Sequence, residues 1–303
     1  MIPTFPTFKK ISLDDESSIK TYTDRYKPYS DFNFTSLWSW DVLGERQVSD
    51  LNGNLVVYFT DYKSNEFFLS FLGENAVNNT ALELINYSKE QKISLTLDLI
   101  SEESIKNLDK DKFLIEPSEG NTDYVYCVSK LAFLEGKQFK SKRGSSRNFL
   151  ANNDKITFKC IPFREQHCAE KLSLLIRNWE SNKIKNGKNY SLKQEESSIM
   201  RLFEATVNNE NLLLSTVDVD DVTVGFSIDE ILVDGYAISH FIKADISYRG
   251  IYEFMNERIA EALQKYGVVY WNWEQDLGEE NLKLNKLSYR PVDFLKKYKI
   301  TLK

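Results

Sequence analysis

Apolar and polar positions along the chain switch between helical spacing and strict alternation, and the order of these stretches runs through twice. In the first pass, the segment through Trp40 reads as helices rich in aromatics. Short β-rich runs follow at 55–60 and 67–71, after the turn-forming Asp50-Leu51-Asn52-Gly53-Asn54. Residues 81–91 predict an amphipathic helix through Leu82, Leu84, Ile85 and Tyr87. Alternation at 93–100 predicts a strand, a short helix starts at Ser101, and 123–128 closes the pass with another strand.

The second pass repeats this order at greater length. A strand at 156–162 precedes a helix over 169–183, with Leu172, Leu175, Ile176 and Trp179 on one face, and a second helix over 192–207. Three strands follow at 212–219, 222–232 and 236–244, separated by Asp220-Asp221 and by the hairpin signal Asp234-Gly235. A helix over 251–266, a strand over 268–274, a helix from Gly278 and a strand pair around 292–302 complete the chain. The hexamer Ser101-Glu102-Glu103-Ser104-Ile105-Lys106 is echoed by Gly278-Glu279-Glu280-Asn281-Leu282-Lys283, each after a β-rich run. The pattern predicts an internal duplication: an α+β protein with domains at 1–128 and 151–303, joined by a mostly helical bridge at 129–150.

Composition agrees with two packed cores. With 42% hydrophobic and 28% charged residues over 303 positions, the chain is globular and long for a single core. A net charge of -6 excludes a surface given over wholly to nucleic acid, so a polyanion site would be a local patch. The first residues lack a charged segment followed by an apolar core, and no apolar run approaches the roughly 20 residues of a membrane helix. We therefore expect a cytoplasmic protein without a transmembrane segment. Cys127, Cys160 and Cys168 show no C-x-x-C spacing, so buried free thiols are expected rather than disulfides or a metal site.

Four stretches carry a family resemblance: Tyr29-Ser30-Asp31-Phe32-Asn33 with Trp38, the segment 136–143, Tyr248-Arg249-Gly250-Ile251-Tyr252, and above all 273–291. They resemble the phosphatidylglycerol lysyltransferase C-terminal-domain-like family, in which two GNAT-like acyltransferase folds sit in tandem. The resemblance implies an acyl or aminoacyl transferase whose donor is acyl-CoA or aminoacyl-tRNA. Its acceptor would be an amine or hydroxyl on a small molecule, a peptide or a lipid headgroup. Two departures stand out. The turn that would hold a donor pyrophosphate has the single Gly250 after Arg249, with the bulky Tyr252 close behind. In the frame where GNAT proteins place a proton-donating tyrosine, this chain has Leu284. Both departures favour an alternative, a non-catalytic binding or regulatory protein that keeps the fold.

Strict alternation over 268–276 would put Tyr270, Asn272, Glu274 and Asp276 on one face, with Trp271 and Trp273 on the other. Polar groups in a row on a central strand need partners. Glu274 is the candidate general base, with Asn272 beside it on the acceptor; the structural alternative pairs Glu274 with Lys283 or Lys286 and makes Asp276 a cap. His240, on the preceding strand, is a second candidate base, whereas His167 reads as a surface residue. Arg249, Gly250 and Ile251 are the candidates for the donor phosphate. Within the bridge, residues 137–147 carry Lys137, Lys140, Lys142, Arg143 and Arg147 and no acid. Lys142 and Arg143 are the candidates for a polyanionic donor tail, against the alternative of a solvated linker helix.

Overall fold

The computed structural model describes residues 1–61, 66–165, 172, 175–177, 192–204 and 210–303. His167, Cys168 and most of the helix expected over 169–183 lie outside the described residues, as do the last residues of the helix expected over 192–207. The chain forms two compact units: 1–124, 275–284 and 294–303 make the first, and 125–274 with 285–293 the second. This division is not linear in sequence. Boundaries were expected at 128 and 150, but the chain first crosses at residue 124, and the expected bridge lies within the second unit.

The first unit holds β1 (Lys9–Lys10), β2 (Gln47–Leu51), β3 (Asn54–Thr60) and β4 (Phe67–Leu72) in one antiparallel sheet of that order. Short helices α1 (Glu16–Thr23) and α2 (Phe34–Ser39) precede β2. Helix α3 (Val77–Glu90) turns Val77, Ala81, Leu84 and Ile85 inward at helical spacing. They pack with Phe71, Ile100, Phe113 and Ile300 in one core. The second sheet of this unit has the order β5 (Leu97–Ser101), β14 (Lys297–Leu302), β6 (Phe113–Pro117), and short helix α4 (Glu102–Ile105) follows β5. The C-terminal strand is thus the central one, antiparallel to both neighbours, and this pairing makes the unit discontinuous in sequence.

Burial of a charge accompanies that pairing. Lys297 is fully enclosed, with Nζ 2.6 Å from Asp123, in an ion pair with Asp31 and donating to Ser30 Oγ at 3.1 Å. The Ser30 N–H also donates to Asp123. Burial disfavours the ammonium, but Asp123 and Asp31 outweigh it and hold the Lys297 pKa above its ordinary value. Tyr29, Phe32 and Phe34 beside this network are core residues.

The second unit is built on the larger sheet, of order β13 (Asp293–Leu295), β7 (Asp123–Cys127), β12 (Tyr270–Asn272), β11 (Tyr236–Ala244), β10 (Val222–Ile231), β9 (Leu212–Val219), β8 (Ile156–Pro162). The run from β8 to β11 is antiparallel, and β12 joins β11 in parallel. Its helices are α5 (Val128–Phe133), α6 (Lys140–Asn152), α7 (Leu192–Glu204), α8 (Ile251–Lys265) and α9 (Glu280–Ser288), the last divided between the units. Gly225 lets α8 approach the sheet, because a Cβ there would stand 2.6 Å from Met255 Sδ. Cys127 and Cys160 are free thiols, as expected, but half-buried rather than buried.

Replacing Lys297 by Met leaves the buried Asp123 and the half-buried Asp31 without this cation. We expect a loss of about 3–5 kcal/mol of stability, read as a lower urea midpoint. A loss below about 1 kcal/mol would match an exposed pair instead.

Candidate functional site

The centre of the second unit is set by a short ladder. β11 and β12 pair only over Tyr236↔Tyr270, Ala237↔Trp271 and Ile238↔Asn272. Beyond that, β11 continues to Ala244 while β12 ends, so polar groups in the gap must find side-chain partners. A bulge lies at this point. Ile228 faces Phe241 and Asp229 faces Ser239, which leaves His240 as the extra residue on β11.

His240 is held between two carboxylates. Glu230 Oε2 lies 3.1 Å from Nε2, and Glu274 Oε1 lies 3.6 Å from Nδ1, an ion-pair distance. The side chains of His240 and Glu230 are 1% and 0% exposed, and that of Glu274 is 20% exposed. Burial opposes the imidazolium, but Glu230 and then Glu274 outweigh it and raise the His240 pKa to about 9. His240 is therefore a charged ring at neutral pH, and Glu274 is the group of this trio that reaches solvent.

Asn272 is fully buried, and its Oδ1 accepts the Glu274 N–H at 2.7 Å. A second buried acid, Asp229, accepts from the Trp271 indole at 3.1 Å and from Ser227 at 2.6 Å. Burial pushes its carboxyl up to about 6 against the hydrogen bonds from Ser227, Ser239 and Trp271 and the charge of His240.

The alternation expected over 268–276 stops at Asn272. Glu274 and Leu277 adopt left-handed backbone (φ 57° and 59°), which costs roughly 1–2 kcal/mol at each such residue and turns the chain out of the sheet. Asp276 belongs to the first unit and does not share a strand face with Glu274. Its carboxylate takes the Tyr124 hydroxyl at 2.5 Å and the Gly278 N–H at 2.8 Å, a turn that precedes the helix starting at Glu280 rather than the cap weighed as the alternative.

Arg249 is exposed, Gly250 has φ 88°, and Ile251 is buried as the first residue of α8. Where the sequence reading put a donor phosphate against Gly250, the structure puts a helix. A Cβ on Gly250 would stand 2.0 Å from the Ser145 carbonyl oxygen of α6. The helices pack further through Phe149 and Phe254, 4.9 Å apart, and Ser146 donates to Glu257 at 2.5 Å.

Lys142 turns into this packing, with Nζ 3.4 Å from Glu253 and 4.0 Å above the Tyr289 ring. Burial lowers its pKa, offset in part by Glu253. Arg143 donates to the carbonyls of Leu134 and Gly136 and closes the end of α5. Lys137, Lys140 and Arg147 stay exposed. Leu284 is exposed, and the Tyr289 hydroxyl is buried, its pKa raised first by burial and then by Glu253.

The sequence profile described as "Phosphatidylglycerol lysyltransferase, C-terminal" matches residues 23–301. The chain belongs to this family. A conserved protein of unknown function from Bacteroides thetaiotaomicron superposes with a TM-score of 0.83 and 25% identity, covering 100% of each chain. The structure of L-PGS from Bacillus licheniformis gives a TM-score of 0.66 over 97% of this chain and 92% of that one; at 12% identity this speaks to the fold alone. An uncharacterised protein of Mycoplasmoides gallisepticum is 24% identical over 193 residues, 62% of this chain and 59% of that relative.

The α+β class read from the order of strands and helices is the class of this phosphatidylglycerol lysyltransferase C-terminal family member. No helix of the described residues is long and apolar enough to cross a membrane. Among the described residues, no three His, Cys, Asp or Glu side chains are grouped to hold a metal ion. Sequence reasoning missed Glu230 and Asp229, whose signal is two adjacent acids inside a mostly buried strand. It also missed the Lys297 network, although Ser30 and Asp31 sit in a stretch that carries the resemblance.

Because the His240 pKa is higher in the folded chain than its ordinary value of 6.5, the ring stabilises the fold fully below about pH 6.5. That contribution fades as pH rises through about 9. The difference in unfolding free energy between the wild type and His240→Gln is expected to be constant below pH 6.5 and to shrink toward pH 10. A difference that stays level across this range would show that the ring is not charged in the folded protein.

Proposed function

We propose that this chain is an aminoacyl transferase that moves an aminoacyl group from charged tRNA to an amine or hydroxyl acceptor bound beside Glu274. The observation that carries the reading is the Glu274 carboxylate, which faces the charged His240 on one side and solvent on the other. In the reaction the acceptor nitrogen or oxygen attacks the ester carbonyl of the donor, and Glu274 takes the proton the acceptor gives up. The new C–N or C–O bond forms, the ester C–O bond breaks, and the tRNA ribose oxygen leaves with the proton that Glu274 took from the acceptor. His240 and Asn272 set the position of the base rather than accept the proton, because His240 is enclosed and Asn272 is committed to the Glu274 N–H.

The choice of tRNA over acyl-CoA is supported by the start of α8. The close approach that Gly250 permits is used by the Ser145 carbonyl, an oxygen that repels phosphate. The exposed bases Lys137, Lys140, Arg147 and Arg249 supply the phosphate contacts in this reading. Lys142 and Arg143, engaged with Glu253 and with main-chain carbonyls, hold α6 in place. Family membership supports a lipid headgroup among the candidate acceptors, with a peptide or small-molecule amine beside it, and cytoplasmic placement goes with a tRNA donor. A second reading, a binding protein that keeps the fold, draws on exposed Leu284 in the proton-donor frame.

The test is transfer of labelled amino acids from a charged tRNA pool to anionic phospholipid vesicles or soluble amines. We expect transfer by the wild type and a fall of about 100-fold or more in Glu274→Gln. Equal transfer by both would remove Glu274 as the base. Retention of tRNA without transfer would establish the second reading.

A further inference from the structure

Glu274 bears its proposed role in a backbone conformation that a glutamate does not favour, and the side chains that hold it there are identifiable. Its φ of 57° lies in the left-handed region. On the N-terminal side, the Asn272 side chain takes the Glu274 N–H at 2.7 Å. On the C-terminal side, the Lys286 ammonium donates to the Glu274 carbonyl at 3.1 Å and to the Trp273 carbonyl at 2.5 Å. The sequence allowed Lys286 to pair with the Glu274 carboxylate. The structure instead places the amine on the main chain, and the carboxylate turns toward His240.

Lys286 is well placed for this task. It is a buried residue of α9, and the Tyr126 hydroxyl donates to its own carbonyl at 2.9 Å. The Tyr126 ring lies 4.1 Å from Trp273, which also packs against Tyr289 at 4.9 Å and Trp271 at 5.1 Å. The Trp273 side chain is therefore packed among rings, and a charge-assisted donor fixes the direction in which the two successive carbonyls point. An ammonium has three donors and no acceptor, so two adjacent carbonyls suit it. The chain leaves the second unit directly after Glu274 and returns at Asn285, so Lys286 ties the point of departure to the point of return.

We infer that Lys286 is a positioning residue, which holds Glu274 in its left-handed conformation and so keeps the carboxylate on His240. The inference rests on the proposed role of Glu274, but its structural part has a readout independent of transfer. The chain has two histidines, so the ring signals of His240 and His167 separate by NMR once His167→Gln assigns them. Glu230 and Asp229, both on β10, also act on the charge of His240.

Without the Lys286 amine, the peptide after Trp273 relaxes and the Glu274 carboxylate leaves the ring. Lys286→Met is expected to lower the His240 pKa by about one unit, and Lys286→Arg, which keeps two donors, to restore it. In a Glu274→Gln background Lys286→Met is expected to have no further effect. Where transfer is measurable, Lys286→Met should lower kcat and leave KM unchanged. An unchanged His240 pKa in folded Lys286→Met, or an equal fall in both Glu274 backgrounds, overturns the inference. Lys286→Gln, with a shorter and uncharged donor group, should fold and give an intermediate shift; failure of this variant to fold would mark Lys286 as a residue of the core and overturn the inference too. A His240 shift in a chain that shows no transfer would leave the positioning role standing and the proposed function refuted.

Discussion

Three residue pairs of parallel ladder decide where this protein places its polar chemistry. After Ile238 and Asn272, β11 and β12 part, and the groups in the opening lose the backbone partners a continuous sheet would supply. The bulge at His240, the buried Glu230 and the left-handed turn at Glu274 are all local answers to that loss. Together they set a cation between two acids within the sheet and bring one carboxylate toward water. A fully buried ion pair is weak evidence for stability. The graded exposure across this trio is what points to a site.

The fold has a second place where a ligand would ordinarily be met, the turn between a strand and its following helix, and in each unit protein atoms occupy it. In the second unit the Ser145 carbonyl stands against Gly250. In the first, Asn54 fills the turn between β4 and α3: a Cβ on Gly73 would stand 2.0 Å from its side-chain oxygen, and Asn54 also takes the Asn75 N–H. Glycine at a helix start is commonly read as room for phosphate. Here the room is used for packing, and the basic side chains of α6 divide accordingly into Lys142 and Arg143, turned inward, and Lys140 and Arg147, turned outward.

Local pattern made much of the second unit legible. Strands at 156–162, 212–219 and 236–244 match the observed bounds, and Asp234-Gly235 forms the turn with positive φ at both residues. These elements are specified by neighbours in sequence. The strand read over 268–274 shrank to Tyr270–Asn272, because its end depends on Asn272 and Lys286 acting on Glu274, a contact across twelve positions. β14 was visible as a strand, but its place between β5 and β6 was not, and neither was the burial of Lys297 among several similar lysines at the C-terminus. His240 looked like a lone histidine because its partners lie ten positions before it and thirty-four after it.

Our account takes the working atoms to lie at the parting of the strands, with the start of α8 sealed by α6. Calorimetric titration of CoA and acetyl-CoA into the full chain tests this most directly. The account predicts no saturable heat at millimolar ligand. Saturable micromolar binding, weakened when the exposed Arg249 is replaced by Glu, would place a pyrophosphate where we place the Ser145 carbonyl and would contradict it.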